Sequence, residues 1–187
     1  MARLIYVSFV TCLVAACGDD PISYSAPVGI NLKAKSADTQ NGVVTDEKSI
    51  NSESGNPYGA FVADARAELG RDPGLIDVDS VALFLGANST GVVTLGEVFD
   101  GNVEVLFEMN DTNNSYPVAN ATLPATTGPG PFGLSVTFPA AQIPDADFTK
   151  LLNGSFKVIT RGPAASGFTT KGADADIQVT LTFAAYE

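Results

Sequence analysis

The sequence predicts a mainly β protein, an antiparallel β-sandwich of the Ig-like or jelly-roll-like kind with one or two short helices. Apolar and polar residues alternate with a period of two in about seven or eight short segments. Two other segments have helical spacing, and the 18 Gly and 11 Pro residues of the chain mark turns between segments. A small barrel is the competing architecture, because it is built from the same kind of strand.

The first predicted strand begins near residue 28, after a short polar stretch. Apolar residues alternate there with Gly, Asn and Lys, so that one side faces a core and the other faces water. The apolar residues are Val28, Ile30, Leu32 and Ala34. Residues 36–55 are mostly polar, and we interpret them as a long surface connection with at most one short strand.

The clearest helix opens at Asn56 and Pro57, since Asn caps a helix N-terminus and Pro suits the first turn. Gly70 can adopt the left-handed conformation that ends a helix. Between them, one apolar stripe recurs at helical spacing and contains Phe61, Val62, Ala65 and Leu69. We expect this helix to cover one open face or end of a sheet. A second, shorter helix is predicted over residues 145–152.

The middle of the chain contains a central strand and a conflict of charges. Residues 81–85 are apolar on both faces, as in a strand buried within a sheet. Residues 102–109 alternate, and the Asp-Gly pair at 100–101 is a hairpin signal. In that register Glu97 would face Glu104, and like charges destabilise a cross-strand pair. Either a bulge shifts the register or the segment before the hairpin is not a regular strand.

Four further strands are predicted in the C-terminal half, over residues 116–123, 132–138, 156–161 and 177–185. Pro117 argues that the first of them lies at a sheet edge, since Pro cannot donate to a ladder. The last strand has the longest alternating run, made of Ile177, Val179, Leu181, Phe183 and Ala185. We expect it to be a central strand, because its apolar side must be covered.

The N-terminus carries a targeting signal. An apolar run of about eleven residues follows Arg3 and extends from Leu4 to Val14. A helix that spans a bilayer needs ~20 apolar residues, so this run suits the core of a signal peptide. It ends in Val-Ala-Ala-Cys at residues 14–17, and this order of charge, apolar run, small residues and cysteine resembles the lipobox of bacterial lipoproteins.

The resemblance implies that Cys17 is the lipid attachment site and the mature N-terminus. Residues 1–16 are then the signal peptide, 17–26 the lipidated N-terminus and a short tether, and 27–187 a single β-sandwich domain. In that family an Asp directly after the cysteine favours the inner membrane, so Gly18 favours the outer membrane. An ordinary secretory signal, with an incidental Cys17, is the alternative.

Composition excludes several classes of function. The net charge of −11 argues against a nucleic-acid partner, which requires a basic surface. The chain has no histidine, which excludes a Ser-His-Asp triad and removes the commonest zinc ligand. Of the two cysteines, Cys12 would leave with the signal peptide and Cys17 would carry lipid, so we expect neither a disulfide nor thiolate chemistry. We predict no catalytic residue, and no cofactor unless it is calcium.

Three Asp-x-Asp pairs are the candidates for calcium, which prefers six to eight oxygen ligands. One pair, Asp145 and Asp147, begins a predicted helix, where the helix dipole favours negative charge. The other pairs precede predicted strands. If those strands begin at the same end of the fold, four carboxylates could converge on one calcium ion: Asp77, Asp79, Asp174 and Asp176. The alternative is that these aspartates are simply exposed to solvent and bind no ion.

The leading hypothesis is a non-catalytic, lipid-anchored cell-envelope protein, a binding or structural module near the membrane surface. Its partner would be an envelope protein or a polysaccharide. One alternative is a calcium-dependent carbohydrate-binding or adhesion module, which an exposed aromatic row would favour. The other is a small hydrolase with a carboxylate pair drawn from Glu97, Glu104 and Glu108, although nothing in the sequence fixes their separation.

Overall fold

The computed structural model describes residues 22–51, 53 and 55–187, and within them it contains eight strands and two α-helices. The predictions of a signal peptide and of lipid on Cys17 fall outside the described residues. The strands are β1 (Ser23–Lys35), β2 (Val43–Ile50), β3 (Leu75–Leu85), β4 (Gly101–Met109), β5 (Ser115–Leu123), β6 (Phe132–Val136), β7 (Phe156–Pro163) and β8 (Asp174–Tyr186). The helices are α1 (Pro57–Leu69) and α2 (Asp145–Leu152).

The strands pair antiparallel in one sheet of order β1-β8-β3-β6-β5-β4-β7-β2, which curls into a nearly closed barrel. The prediction of a mainly β, antiparallel fold is confirmed, but the sheet is barrel-like rather than a clear sandwich. The difference arises at β6. This strand pairs with β3 through Leu134 and Val81 and with β5 through Val136 and Ala119, so it joins what would otherwise be two sheets.

The barrel has two ends, which we name by the elements that lie there. The helical end contains Ser23 at the start of β1, Tyr186 at the close of β8, and both α-helices. The loop end contains Lys35 at the close of β1 and Asp174 at the start of β8, since the two strands run antiparallel. Three short 3-10 turns also lie at the loop end: Ser36–Asp38, Leu95–Glu97 and Phe168–Thr170.

Helix α1 covers the helical end, which confirms the prediction that this helix closes an open end of a sheet. The Asn56 side chain caps it by accepting a hydrogen bond from the Tyr58 N–H at 3.0 Å. Tyr58 and Phe61 pack against Phe183 of β8, with ring centroids 5.0 and 5.4 Å away. The Tyr58 hydroxyl donates to the Leu151 carbonyl of α2 at 2.9 Å, which satisfies a polar group that is fully buried.

The last strand lies at the centre of the β1–β8–β3 region, as its alternating pattern predicts. Leu181 of β8 opposes Val28 of β1 on one side and Val81 of β3 on the other. All three side chains are buried and point into the barrel. The apolar residues predicted to face inward on β1, β4 and β8 are buried in the same way.

The segment ahead of β4 is not a regular strand, which removes the conflict between Glu97 and Glu104. Leu95–Glu97 is a 3-10 turn with a capping box, in which the Thr94 and Glu97 side chains each accept a backbone hydrogen bond. Glu104 instead lies opposite Arg161 of β7.

The prediction that Pro117 marks a sheet edge is wrong, because β5 lies between β4 and β6. Pro117 opposes Leu106 directly after the register shifts past Val105. This irregularity is a β-bulge, where a ladder is already interrupted and a residue without an N–H is tolerated.

The barrel is incomplete between β1 and β2, the two edge strands of the sheet. Among the described residues these strands share no backbone ladder, and a cleft of about 220 Å³ lies between residues 28–31 and 48–50. Asp46 of β2 reaches across this seam, and its carboxylate accepts a hydrogen bond from the Lys33 backbone N–H. Burial raises the pKa of Asp46, against the lowering effect of that hydrogen bond.

Candidate functional site

A pocket lies on the outer surface of the barrel, where β1 and β8 reach the loop end. It has a volume of about 370 Å³. Its lining consists of Asn31, Lys33, Asn88, Thr90, Asp174, Ala175 and Asp176. We call this the polar pocket, because its side chains carry carboxylate, ammonium, amide and hydroxyl groups.

Cross-strand pairing decides which charges are neighbours in the polar pocket. Lys33 lies opposite Asp176 in the β1–β8 ladder, and Lys35 lies opposite Asp174. Directly opposed residues have Cβ atoms ~4.5–5.5 Å apart. The residue between the two aspartates, Ala175, is buried, so the alternation of the strand directs both carboxylates outward.

The loop from residue 86 to 91 forms one wall of the polar pocket and is clamped to β8. The Gly86 N–H donates to the Asp176 carbonyl at 2.6 Å. Thr90 and Asp174 exchange backbone hydrogen bonds of 2.8 and 3.0 Å. The Ser89 hydroxyl accepts from the Asp176 N–H at 3.0 Å and donates to the Gly86 carbonyl at 2.8 Å.

Residue 86 must be small for the pocket to have this shape. A Cβ atom at Gly86 would lie 2.5 Å from Oδ2 of Asp176, which is closer than van der Waals contact allows. The glycine therefore lets the Asp176 carboxylate rest against the loop backbone.

A row of three outward residues lies next to the polar pocket. Phe84 of β3, Gln178 of β8 and Asn31 of β1 are in register across the three strands. Asn31 belongs to the pocket lining and Gln178 is exposed beside it. Phe84 is only half-buried, and it alternates with Leu83, which points into the core. Phe84 and Gln178 lie outside the pocket lining and continue the row of outward residues that begins at Asn31.

The structure does not bring the four predicted calcium ligands together. Asp77 lies opposite Ala184 in the β3–β8 ladder, eight residues from Asp176 and therefore ~26 Å along the strand. Both Asp pairs do lie at the beginnings of their strands, but neighbouring antiparallel strands begin at opposite ends of the barrel. Asp79 and Asp77 are thus at the helical end, and Asp174 and Asp176 are at the loop end.

The two pairs also differ in their surroundings. Asp79 accepts a hydrogen bond from the Ser25 hydroxyl at 3.1 Å, and Asp77 accepts one from the Val78 N–H at 2.7 Å. Within the described ranges, no group of three or more His, Cys, Asp or Glu side chains is arranged to hold a metal ion. Whether either Asp pair binds calcium is left to the melting experiment described in the Discussion.

The third Asp pair contains a buried carboxylate with a structural role. Asp147 is 1% exposed and accepts hydrogen bonds from Thr112 at 3.1 Å, Asn114 at 2.8 Å and Tyr116 at 2.7 Å. Burial acts to raise the pKa of Asp147, but these hydrogen bonds and the nearby Lys150 ammonium hold it below its ordinary value. Burial and the same carboxylate raise the pKa of Tyr116 to about 12. Asp147 thereby fastens the β4–β5 turn to α2.

The three glutamates proposed for hydrolysis are each paired with a cation. Glu97 lies 3.0 Å from Lys171, Glu104 lies 2.6 Å from Arg161, and Glu108 lies 3.6 Å from Lys157.

The spacing of Glu104 and Glu108 and the pKa of Glu97 both differ from those of a glycosidase acid–base pair. Glu104 and Glu108 are four residues apart on β4, ~13 Å along the strand, whereas glycosidase carboxylates are ~5–9.5 Å apart. The Val93 N–H and the Lys171 ammonium hold the pKa of Glu97 below its ordinary value, whereas a general acid needs a raised one.

Sequence reasoning singled out Asp174 and Asp176 but missed the rest of the polar pocket. Asn31 and Lys33 could be recognised only as outward residues of an alternating strand, and Asn88 only as part of a loop. Their meeting depends on the β1–β8–β3 register, which no local pattern contains.

No family model matches the chain, and no curated protein matches it. None of the helices in the described part of the chain has the length and apolar character needed to cross a bilayer.

Proposed function

We propose that this chain is a non-catalytic, lipid-anchored protein of the bacterial cell envelope that acts as a binding module near the membrane surface. The observation that carries the proposal is the Val-Ala-Ala-Cys sequence at residues 14–17, behind an apolar run that is too short to span a bilayer. Gly18 after the cysteine favours the outer membrane. The partner is an envelope protein or a polysaccharide.

The position of β1 supports a module held close to the membrane. This strand begins at Ser23, six residues after Cys17, and six extended residues reach at most ~20 Å. With lipid on Cys17, the helical end of the barrel is therefore the end nearest the membrane. The polar pocket lies at the other end of β1, ~30 Å further out for a strand tilted by ~40°. The geometry thus favours a ligand that approaches from outside rather than from the lipid.

Charge supports anchoring by lipid rather than by the protein surface. With a net charge of −11, the chain is repelled by anionic head groups. The helical end exposes Asp64, Glu68 and Glu187, together with Arg71 and the Arg66–Asp72 ion pair, so that its acidic residues outnumber its basic ones. Two or more acyl chains, in contrast, anchor a protein stably.

The test is detergent partition of the full-length chain expressed in a bacterium. Cys17→Ser should abolish lipidation and move the protein from the detergent phase to the aqueous phase of Triton X-114. Cys12→Ser is the matched control, since it removes the other cysteine of the chain and should leave partition unchanged. A Cys17→Ser protein that partitions like wild type would show that the motif is not a lipid attachment site.

A further inference from the structure

We propose that the polar pocket, together with Phe84 and Gln178 beside it, is a binding site for a neutral carbohydrate, which it holds by direct hydrogen bonds and without a metal ion. This inference rests on the proposed role as a binding module and adds the chemical class of its ligand.

The charges of the polar pocket favour a neutral ligand. The chain as a whole is strongly acidic, but each aspartate of the pocket has a lysine directly opposite in the β1–β8 ladder: Lys33, which lines the pocket, with Asp176, and Lys35, which lies outside the lining, with Asp174. The local charges therefore balance, and neither an anion nor a cation is selected by the field. The same lysines compete with calcium for the two carboxylates, since a divalent cation would have to approach beside two ammonium groups.

The polar groups are free to meet a ligand. Within the described part of the chain, neither Lys33 nor Asp176 has an ion-pair partner within 4.0 Å, although the two residues are opposed. A carboxylate only accepts hydrogen bonds, an ammonium only donates them, and the amides of Asn31 and Asn88 do both. A sugar hydroxyl donates and accepts at once, so a ring with adjacent hydroxyls can engage all three kinds of group.

The ring of Phe84 supplies the apolar part of the site. A half-buried aromatic side chain on the outer face of a sheet is not needed by the core, and Phe84 lies in register with Gln178 and Asn31. The C–H face of a sugar ring can pack on such an aromatic face while its hydroxyls reach the neighbouring amides. The arrangement provides one aromatic platform rather than the aromatic row that a long crystalline polymer would need.

The site is largely formed before a ligand arrives. The backbone hydrogen bonds between the 86–91 loop and β8 fix the wall, and Gly86 leaves room for the Asp176 carboxylate beside that wall. The volume of about 370 Å³ lies at the lower end of the ~300–1,000 Å³ range of small-molecule pockets. A preformed site loses less entropy on binding.

The experiment uses the full-length, lipidated protein in micelles of a detergent without a sugar head group. Binding is measured by affinity electrophoresis in EDTA through gels that contain a β-glucan, an α-mannan or a galactan, with polygalacturonate as a charged probe. We expect at least one neutral polysaccharide to retard the protein. Asn31→Ala and Phe84→Ala should each weaken that binding at least tenfold. Asn102→Ala, which truncates an exposed Asn on the outer face of β4, should change it less than twofold.

Four results would each overturn the inference: no binding to any neutral polysaccharide, binding to polygalacturonate alone, binding that requires calcium, or binding by the Asn31→Ala protein that equals that of wild type. Gln178→Ala replaces Phe84→Ala if the latter melts at a lower temperature than wild type. Failure of carbohydrate binding with the Cys17→Ser partition shift intact would reject the ligand class and leave the anchored module standing.

Discussion

Truncation of one buried leucine tests the central position of β8. Leu181 has no exposed surface and lies between Val28 of β1 and Val81 of β3. Leu181→Ala should destabilise the protein by about 2–5 kcal/mol, from lost transfer free energy and from the cavity left behind. Hydrogen-bonded strands on both sides limit collapse into that cavity, so we expect a value in the upper half of the range.

A loss of about 4 kcal/mol corresponds to a fall in melting temperature of roughly 8–16 °C for a domain of this size. The assay is thermal unfolding followed by circular dichroism, with a urea titration as a second measure. Thr180→Ala is the matched control, because Thr180 is the preceding residue of β8 and points outward. It should change stability by less than ~1 kcal/mol. A Leu181→Ala protein that melts within a degree of wild type would refute the inward register of β8.

The remaining predictions concern the acidic residues. Asp147→Asn should destabilise the protein by about 1–3 kcal/mol at pH 7, because the charged acceptor of three hydrogen bonds is lost. The pKa of Asp147 is lowered in the folded state, so its contribution to stability is present above about pH 4 and is lost as pH falls through the folded pKa. The melting temperatures of wild type and Asp147→Asn should therefore converge in acid. A difference in melting temperature that is independent of pH would contradict this. Melting temperatures in EDTA, millimolar calcium and millimolar magnesium should be equal, because the register separates the two Asp pairs. Calcium at a hundredfold excess over the Kd of a real site would instead add ~2.7 kcal/mol to the free energy of unfolding. A melting temperature that rises with calcium but not with magnesium would show that one Asp pair binds the ion.

The strands could be predicted from the sequence because burial alternates along each one. Residues 28–34, 103–109 and 177–185 display this period in the sequence itself, and the structure buries the apolar set in each case. Helix α1 could also be predicted from the sequence, since its cap at Asn56 and its apolar stripe are local features.

The pairing of strands could not be predicted in the same way. Whether β6 joins two sheets or lies in one depends on partners more than 10 residues away, and a sandwich and a barrel share the same alternation. The expected convergence of two Asp pairs on one calcium ion is wrong for the same reason. It treated two strand beginnings as neighbours, whereas antiparallel pairing puts Asp77 and Asp176 at opposite ends.

The burial and the hydrogen-bond partners of an aspartate could not be predicted from the sequence around it. Asp145 and Asp147 look alike in the sequence, yet one is exposed and the other is buried under three donors from the β4–β5 turn. The polar pocket likewise gathers residues from β1, β8 and a loop.

The seam between β1 and β2 bears on whether copies of this protein associate through their sheet edges. A sheet with two free edges invites strand exchange between copies, and confinement to a membrane would raise the frequency of such encounters. Here the two edges face each other, and the Asp46 carboxylate points inward across the gap to the Lys33 N–H, where a foreign strand would have to displace it. This contact therefore opposes the addition of a foreign strand at that point of the β1 edge, at the cost of one partly desolvated carboxylate.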